Sequence, residues 1–360
     1  MCEDQSMTSP TAHRILAPVA AVALTLGGIA LLDLPSGPAS AVTQAVHMSQ
    51  PSETERGRER IALSRMDGVS HQSAAVTDAQ RRAVLDYWTN ERMAAARPIT
   101  GLVGETLGIA GPEDSAGSDA EHQAAPRTDS SGEVWGAGGL VTRTTGKVYL
   151  TMNGRDFTCS ASVIEAENRS TVVTAGHCAK DGTGSWARNW TFVPGYRDGE
   201  SPYGRYTARD MLVSPRWSRE ADDSYDVAMV VLNTHSGDAV QDRVGAQRIS
   251  FSAWAEDRAR EGRQVYTFGY PAASPFDGRL LHYCSGKTSP DTGGTTANGV
   301  RCRMTQGSSG GPWFTGFDPR TGRGTVSSVV SFKYADDRGT QYGPRLGEEA
   351  RRLYDGAERL

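Results

Sequence analysis

Thr305-Gln306-Gly307-Ser308-Ser309-Gly310-Gly311-Pro312-Trp313 is the stretch on which the reading of this chain turns. Its glycines permit backbone conformations that a β-carbon forbids, so neighbouring amide N–H groups can converge on one point. A serine in such a loop suits acyl transfer, in which a hydroxyl attacks a carbonyl and the oxyanion formed needs preorganised donors. Ser309 is the candidate nucleophile, and Gly307 and Ser309 are the candidate donors through their backbone N–H groups. The hydroxyl also needs an imidazole to take its proton, and the imidazole needs a carboxylate to hold its tautomer.

Both groups lie upstream. Thr174-Ala175-Gly176-His177-Cys178 follows an apolar strand, and Tyr225-Asp226 opens the apolar run Val227-Ala228-Met229-Val230-Val231-Leu232. Taken alone, a His beside a Cys is as often a packed core residue, and such an Asp is usually a strand-end residue. Together, in the order His177, Asp226, Ser309, they make a catalytic constellation. The serine loop also fits G-x-S-x-G, the nucleophile elbow of α/β-hydrolases. Those enzymes place the catalytic His after the Ser, and no His follows His282 here, so an esterase or lipase is excluded.

Working outward, short β-rich runs recur at 147–152, 159–164, 171–174, 189–194, 226–232, 264–268, 299–304, 312–314 and 325–332. Gly, Asp, Asn and Pro clusters separate them, which argues for an all-β domain closed into barrels over 133–360. Leu346, Ala350, Leu353, Tyr354, Ala357 and Leu360 recur at helical spacing, so the chain should end in an amphipathic helix docked on a barrel.

TAGHC, YDVAMVVL and GSSGGPW resemble the trypsin-like serine peptidases, most closely the bacterial secreted group that includes the V8-type glutamyl endopeptidases. Gly269-Tyr270-Pro271 and Met304-Thr305 are similar to that group as well. The resemblance spans roughly residues 140–345, where these signals begin and end. It implies two six-stranded antiparallel β-barrels with the site in the cleft between them and no cofactor. It makes His177 the general base, Asp226 its orienting partner and Ser309 the nucleophile. In the animal digestive members an Asp precedes the nucleophile and pairs with a freed N-terminal amine on activation. Ser308 stands at that position here, so that activation mechanism does not carry over.

By the same resemblance, Arg303-Met304-Thr305 and Val330-Ser331-Phe332-Lys333 wall the pocket for the residue on the acyl side of the cut bond. Neither stretch holds an Asp or Glu, so a buried cationic substrate side chain would lack a partner. Arg303 at the floor and Lys333 at the entrance favour an acidic side chain. An outward-turned Arg303 would instead leave an apolar pocket bounded by Met304 and Val330. Basic residues fit least.

Net charge is −4, from 38 Lys plus Arg against 42 Asp plus Glu, which gives no footprint for nucleic acid or an anionic membrane. Ile15–Leu32 is a long apolar run, and Ala39-Ser40-Ala41 fits a signal-peptidase site. Residues 1–41 are therefore expected to be a signal peptide removed on secretion, with no stable membrane association afterwards. The rival is an uncleaved anchor, since the run is just long enough to span. Of five cysteines, Cys2 falls in that segment. Cys159, Cys178, Cys284 and Cys302 can form two disulfides in three connectivities. The resemblance favours Cys159 with Cys178, which leaves Cys284 with Cys302. No CxxC or Cys/His zinc spacing occurs, so no metal is expected. Asp222-Asp223 and Asp336-Asp337 read as solvated charge rather than a calcium site.

Residues 42–132 read as a prosegment. Thr77-Asp78-Ala79-Gln80 is a capping-box pattern that predicts a helix over 77–96, and 111–132 lacks Val, Ile, Leu and aromatics, as a solvated linker would. The plain alternative is a small permanent helical domain. The whole is expected to be a monomeric secreted serine endopeptidase acting on proteins or peptides. The rival from another class is a protease-like binding module without activity, which normally loses a triad member or the surrounding glycines.

Overall fold

Val172, Val173, Met229, Val230 and Val231 are fully buried, and their strands Thr171–Thr174 and Ala228–Leu232 pair antiparallel at the heart of the first half of the domain. The computed structural model describes residues 68–99, 102–103, 126–254 and 262–360. The expected signal peptide and most of the expected linker lie outside them. From Thr171–Thr174 the sheet continues through Arg155–Val163, Thr145–Met152 and Arg188–Pro194 to Tyr206–Val213. Tyr206–Val213 then pairs with Ala228–Leu232, which closes a six-stranded antiparallel barrel. β-Branched and aromatic residues line it, and closure gives every strand a neighbour on both sides, while strand ends that outrun their neighbours keep a free edge.

The second half falls into two sheets. One runs Arg248–Ile249, Arg323–Val329, Pro312–Asp318, Gln264–Gly269, His282–Lys287, Ser130–Val134, and the other Ser289–Pro290, Asn298–Arg301, Asp337–Gly343, Phe332–Tyr334, Leu102–Val103. Where a second closed ring was expected, the seam between these sheets is bridged by the disulfide Cys284–Cys302 rather than by a continuous ladder. Cys159–Cys178 is the other disulfide. The strand Ser130–Val134 starts inside the stretch expected to be linker. Its polar residues pair with His282–Lys287 through the backbone, so it needs little apolar surface to be ordered.

The helix Glu348–Ala357 docks on the first barrel, with Ala350, Leu353 and Ala357 buried and Leu346 buried just ahead of it. The N-terminal segment is also laid against that barrel. Ser70–Ser73 adds to the edge of Tyr206–Val213. The capping box forms, with Gln80 N–H on the Thr77 hydroxyl and Thr77 N–H on Gln80 Oε1. The helix stops at Tyr87, however, and a second runs Asn90–Ala95 with Thr89 as its N-cap. The break turns Trp88 inward to 1% exposure, where its indole N–H donates to Asn189 O at 2.5 Å.

Candidate active site

His177 and Asp226 come together because their strands are antiparallel neighbours. Thr174 pairs with Ala228, so the residues just after one and just before the other sit at the same barrel end. His177 lies in a 3₁₀ turn, Gly176–Cys178, tied to the neighbouring strand by the Cys159–Cys178 disulfide. Asp226 closes a second 3₁₀ turn, Asp223–Tyr225, capped by the Asp222 side chain.

Asp226 is 1% exposed and accepts three hydrogen bonds. The His177 ring Nδ1 lies 2.7 Å from Oδ2, and the His177 backbone N–H donates to Oδ1 at 2.7 Å. The Ser331 hydroxyl donates to Oδ2 at 2.5 Å. An ionised carboxylate only accepts, so Nδ1 carries the proton and Nε2 offers its lone pair. Nε2 is buried and has no hydrogen-bond partner among the described residues. Burial alone would raise the Asp226 pKa, but the His177 charge and these hydrogen bonds outweigh it and hold the carboxyl below the usual range. Burial likewise opposes the His177 imidazolium, and the Asp226 charge and hydrogen bond outweigh it, so the imidazole is more basic than usual.

Ser309 is held from both halves of the domain. Its carbonyl accepts from Ser160 N–H at 2.7 Å, and the Ser160 hydroxyl accepts from Tyr270 N–H and donates to Gly307 O, both at 2.9 Å. In the loop, Ser308 N–H is given to Thr305 O, Gly310 N–H to Val330 O and Gly311 N–H to Ser308 O. Gly307 N–H and Ser309 N–H donate to nothing among the described residues, which leaves them available for an oxyanion. Gly307 has φ +96°, and a β-carbon there would lie 2.8 Å from Tyr270 O. At Gly310, φ +81°, it would lie 2.0 Å from Thr174 Oγ1. Neither position admits a side chain.

The residues expected to wall the acyl-side pocket are placed differently from one another. Arg303 is exposed, and its backbone N–H bonds Ser131 O. Met304 and Val330 are buried in a cluster with Trp313 and the Cys284–Cys302 bridge. The Ser331 hydroxyl is turned to Asp226. Lys333 is 9% exposed, and its ammonium donates to Cys302 O at 2.6 Å and Arg338 O at 2.7 Å. Burial pushes its pKa down to about 8. Ser160 is not marked by the sequence, and Asp223, expected there as solvated charge, is instead partly buried. Asp223 is a second carboxylate beside the pair, its pKa pushed up to about 7 by burial and by the Asp226 charge. Ser160 acts through partners far away in the chain and Asp223 through the burial that the fold imposes on it, and neither effect leaves a local mark.

A family model described as Trypsin matches residues 139–344, more than half of the chain. The chain belongs to the Trypsin family. Among solved structures, protease Anisep from Arthrobacter nicotinovorans is 38% identical with a TM-score of 0.56, over 61% of this chain and 96% of that one. The thermostable serine protease AL20, from an extremophilic microorganism, is 39% identical with a TM-score of 0.56, over 61% and 98%. A Glu endopeptidase shares the trypsin-like fold at 18% identity and a TM-score of 0.51, over 64% and 98%. An extracellular metalloprotease of Bacillus subtilis (strain 168) is 36% identical over 73 residues, 20% of this chain, and the match spans 23% of that protein. Among the described residues, one group of three possible metal ligands lies within 4.8 Å, namely Cys159, His177 and Cys178. Its two sulfurs are bonded to each other.

Proposed function

We propose that this Trypsin-family protein is a secreted serine endopeptidase with His177, Asp226 and Ser309 as its catalytic triad. The observation that carries the reading is the buried His177–Asp226 pair, its Nε2 free, beside a glycine-walled serine loop with two free N–H groups. Ser309 Oγ attacks the substrate carbonyl while Nε2 takes the hydroxyl proton, and Asp226 stabilises the imidazolium that forms. The Gly307 and Ser309 N–H groups receive the oxyanion, an interaction whose loss typically costs about 2.7–4 kcal/mol per donor. Nε2 then returns the proton to the departing amine, leaving an acyl-enzyme that water hydrolyses by the same steps. A binding module without activity has no need of a free Nε2 or of glycines where no other residue fits.

Residues 1–41 direct export and are removed on secretion, and 42–132 acts as a prosegment whose cleavage in 111–135 yields a monomeric enzyme. Among the described residues no helix is long and apolar enough to cross a membrane. For the acyl-side residue we favour Glu or Asp, because Lys333 carries the buried cation of the pocket wall. The exposed Arg303 favours the second reading, a large apolar side chain against Met304 and Val330.

The test is labelling with a serine-directed fluorophosphonate, followed by turnover of matched peptides with Glu, Leu, Phe or Arg before the reporter. Ser309→Ala and His177→Ala are each expected to lower turnover by several orders of magnitude with the fold retained, as for groups that act as a unit. Substantial peptidase activity in folded Ser309→Ala would refute the triad, and preferred cleavage after Arg would refute the pocket assignment.

A further inference from the structure

Two open strand edges flank Ser309, and the N-terminal segment pairs with both. On one side, Arg97 and Pro98 lie parallel to Phe157 and Thr158, and Ile99 N–H donates to Thr158 O at 3.1 Å. The barrel neighbour on that side, Thr171–Thr174, pairs only with Ser162 and Val163, so the edge at 157–158 is otherwise unfilled. On the other side, Leu102 and Val103 lie parallel to Lys333 and Tyr334. The nucleophile loop is fastened just beyond each contact. Ser309 O accepts from Ser160 N–H, two residues past Thr158, and Gly310 N–H bonds Val330 O, three residues before Lys333. Three residue steps separate Ile99 from Leu102, a reach of about 10 Å at most. Both contacts therefore lie within a few residues of the points that fasten the nucleophile loop.

Its direction is the informative part. A substrate has its acyl-side residues along Ser331–Lys333, beside the pocket walls, and its leaving amine towards the opposite wall. The two pairings run the other way, Arg97–Pro98 along Phe157–Thr158 first and Leu102–Val103 along Lys333–Tyr334 after it. In this polarity each amide nitrogen stands on the acyl side of its own carbonyl, away from the position where His177 Nε2 must protonate a leaving group. We infer that Arg97–Val103 is a built-in inhibitor that fills the substrate edges on both sides of Ser309 in reverse and therefore is not cut. The inference rests on the serine-hydrolase reading of the site and adds which residues restrain it.

Fluorophosphonate labelling of Ser309 in the full chain tests it. Leu102→Pro combined with Val103→Pro removes both backbone N–H groups from the pairing with Lys333–Tyr334. Labelling of that variant should be at least about tenfold faster than wild type, the factor for shifting an open–closed equilibrium by one decade. The synthetic peptide of residues 97–103 should slow the variant again and be recovered intact by mass spectrometry. If the double variant shows no thermal transition, Trp88→Ala replaces it, because undocking that buried ring frees the segment without touching the cleft, and the same acceleration is expected. Equal labelling of wild type and the folded variant, or rapid hydrolysis within the peptide, overturns the inference while the hydrolase reading stands. Absence of labelling in every form overturns the hydrolase reading and the inference with it.

Discussion

Asp223 sits one turn ahead of Asp226, and its charge is felt by both members of the catalytic pair. In the proposed mechanism neutral His177 is the active form, so activity should rise with pH through a His177 pKa that lies above the ordinary 6.5. The Asp223 charge is one cause of that elevation, after the opposing effect of burial and the larger effect of Asp226. Asp223→Asn should therefore move the acid limb of kcat/KM to lower pH, and an unmoved or raised limb would contradict this. Stability responds separately. The folded Asp223 carboxyl titrates near 7 against an ordinary 3.8, so between those values the native state holds a proton that the unfolded chain releases. Stability from this group then falls as pH rises from about 4 to about 7. The Tm of Asp223→Asn should match wild type near pH 4 and exceed it by a few degrees at pH 8. A gap that shrinks towards alkaline pH would show the carboxyl is not destabilised by folding.

Among the elements, the legible ones carry their own apolar pattern. The strands over 171–174 and 228–232, and the final helix, announce themselves because one face or both must be apolar to be buried. Tyr206–Val213 escapes notice because Asp210 lies in it. That residue is 7% exposed and held by His71 and Ser73 of the paired N-terminal strand and by Arg209 beside it. His282–Lys287 and Asp337–Gly343 are equally hard to read, since their polar sequences are ordered through partners' backbones. Thr77 and Gln80 do predict the start of their helix, but its end at Tyr87 depends on where Trp88 finds a buried site. For the C-terminal helix, Leu353 is the fully buried contact with the barrel. Leu353→Ala should cost about 2–5 kcal/mol, read as a lower urea midpoint with an unchanged slope. A loss under half a kcal/mol would mean the helix is not part of the cooperative fold.

For the molecule as a whole, the disulfide Cys284–Cys302 joins two sheets that share no continuous ladder, close to the carbonyl that holds Lys333. Replacing both cysteines by Ala should cost about 2–5 kcal/mol. Activity of the folded remainder should fall as well, because the proposed pocket wall loses its tether. A variant with unchanged Tm and turnover would show that the seam is held by packing alone.

Residue type and order alone determined the trypsin-like fold and singled out Ser309, His177 and Asp226 as the proposed triad. Those signals are local, because a tight loop needs glycine and a buried strand needs apolar residues. Tertiary structure decided the rest. That the Ser331 hydroxyl braces Asp226, that Ser160 pins Ser309, that Arg303 faces solvent and that Arg97–Pro98 and Leu102–Val103 pair in parallel with the edges at 157–158 and 333–334 all depend on which distant backbones come side by side. Such long-range juxtapositions leave no local trace, because a hydroxyl or an extended backbone has the same sequence signature whichever partner it meets.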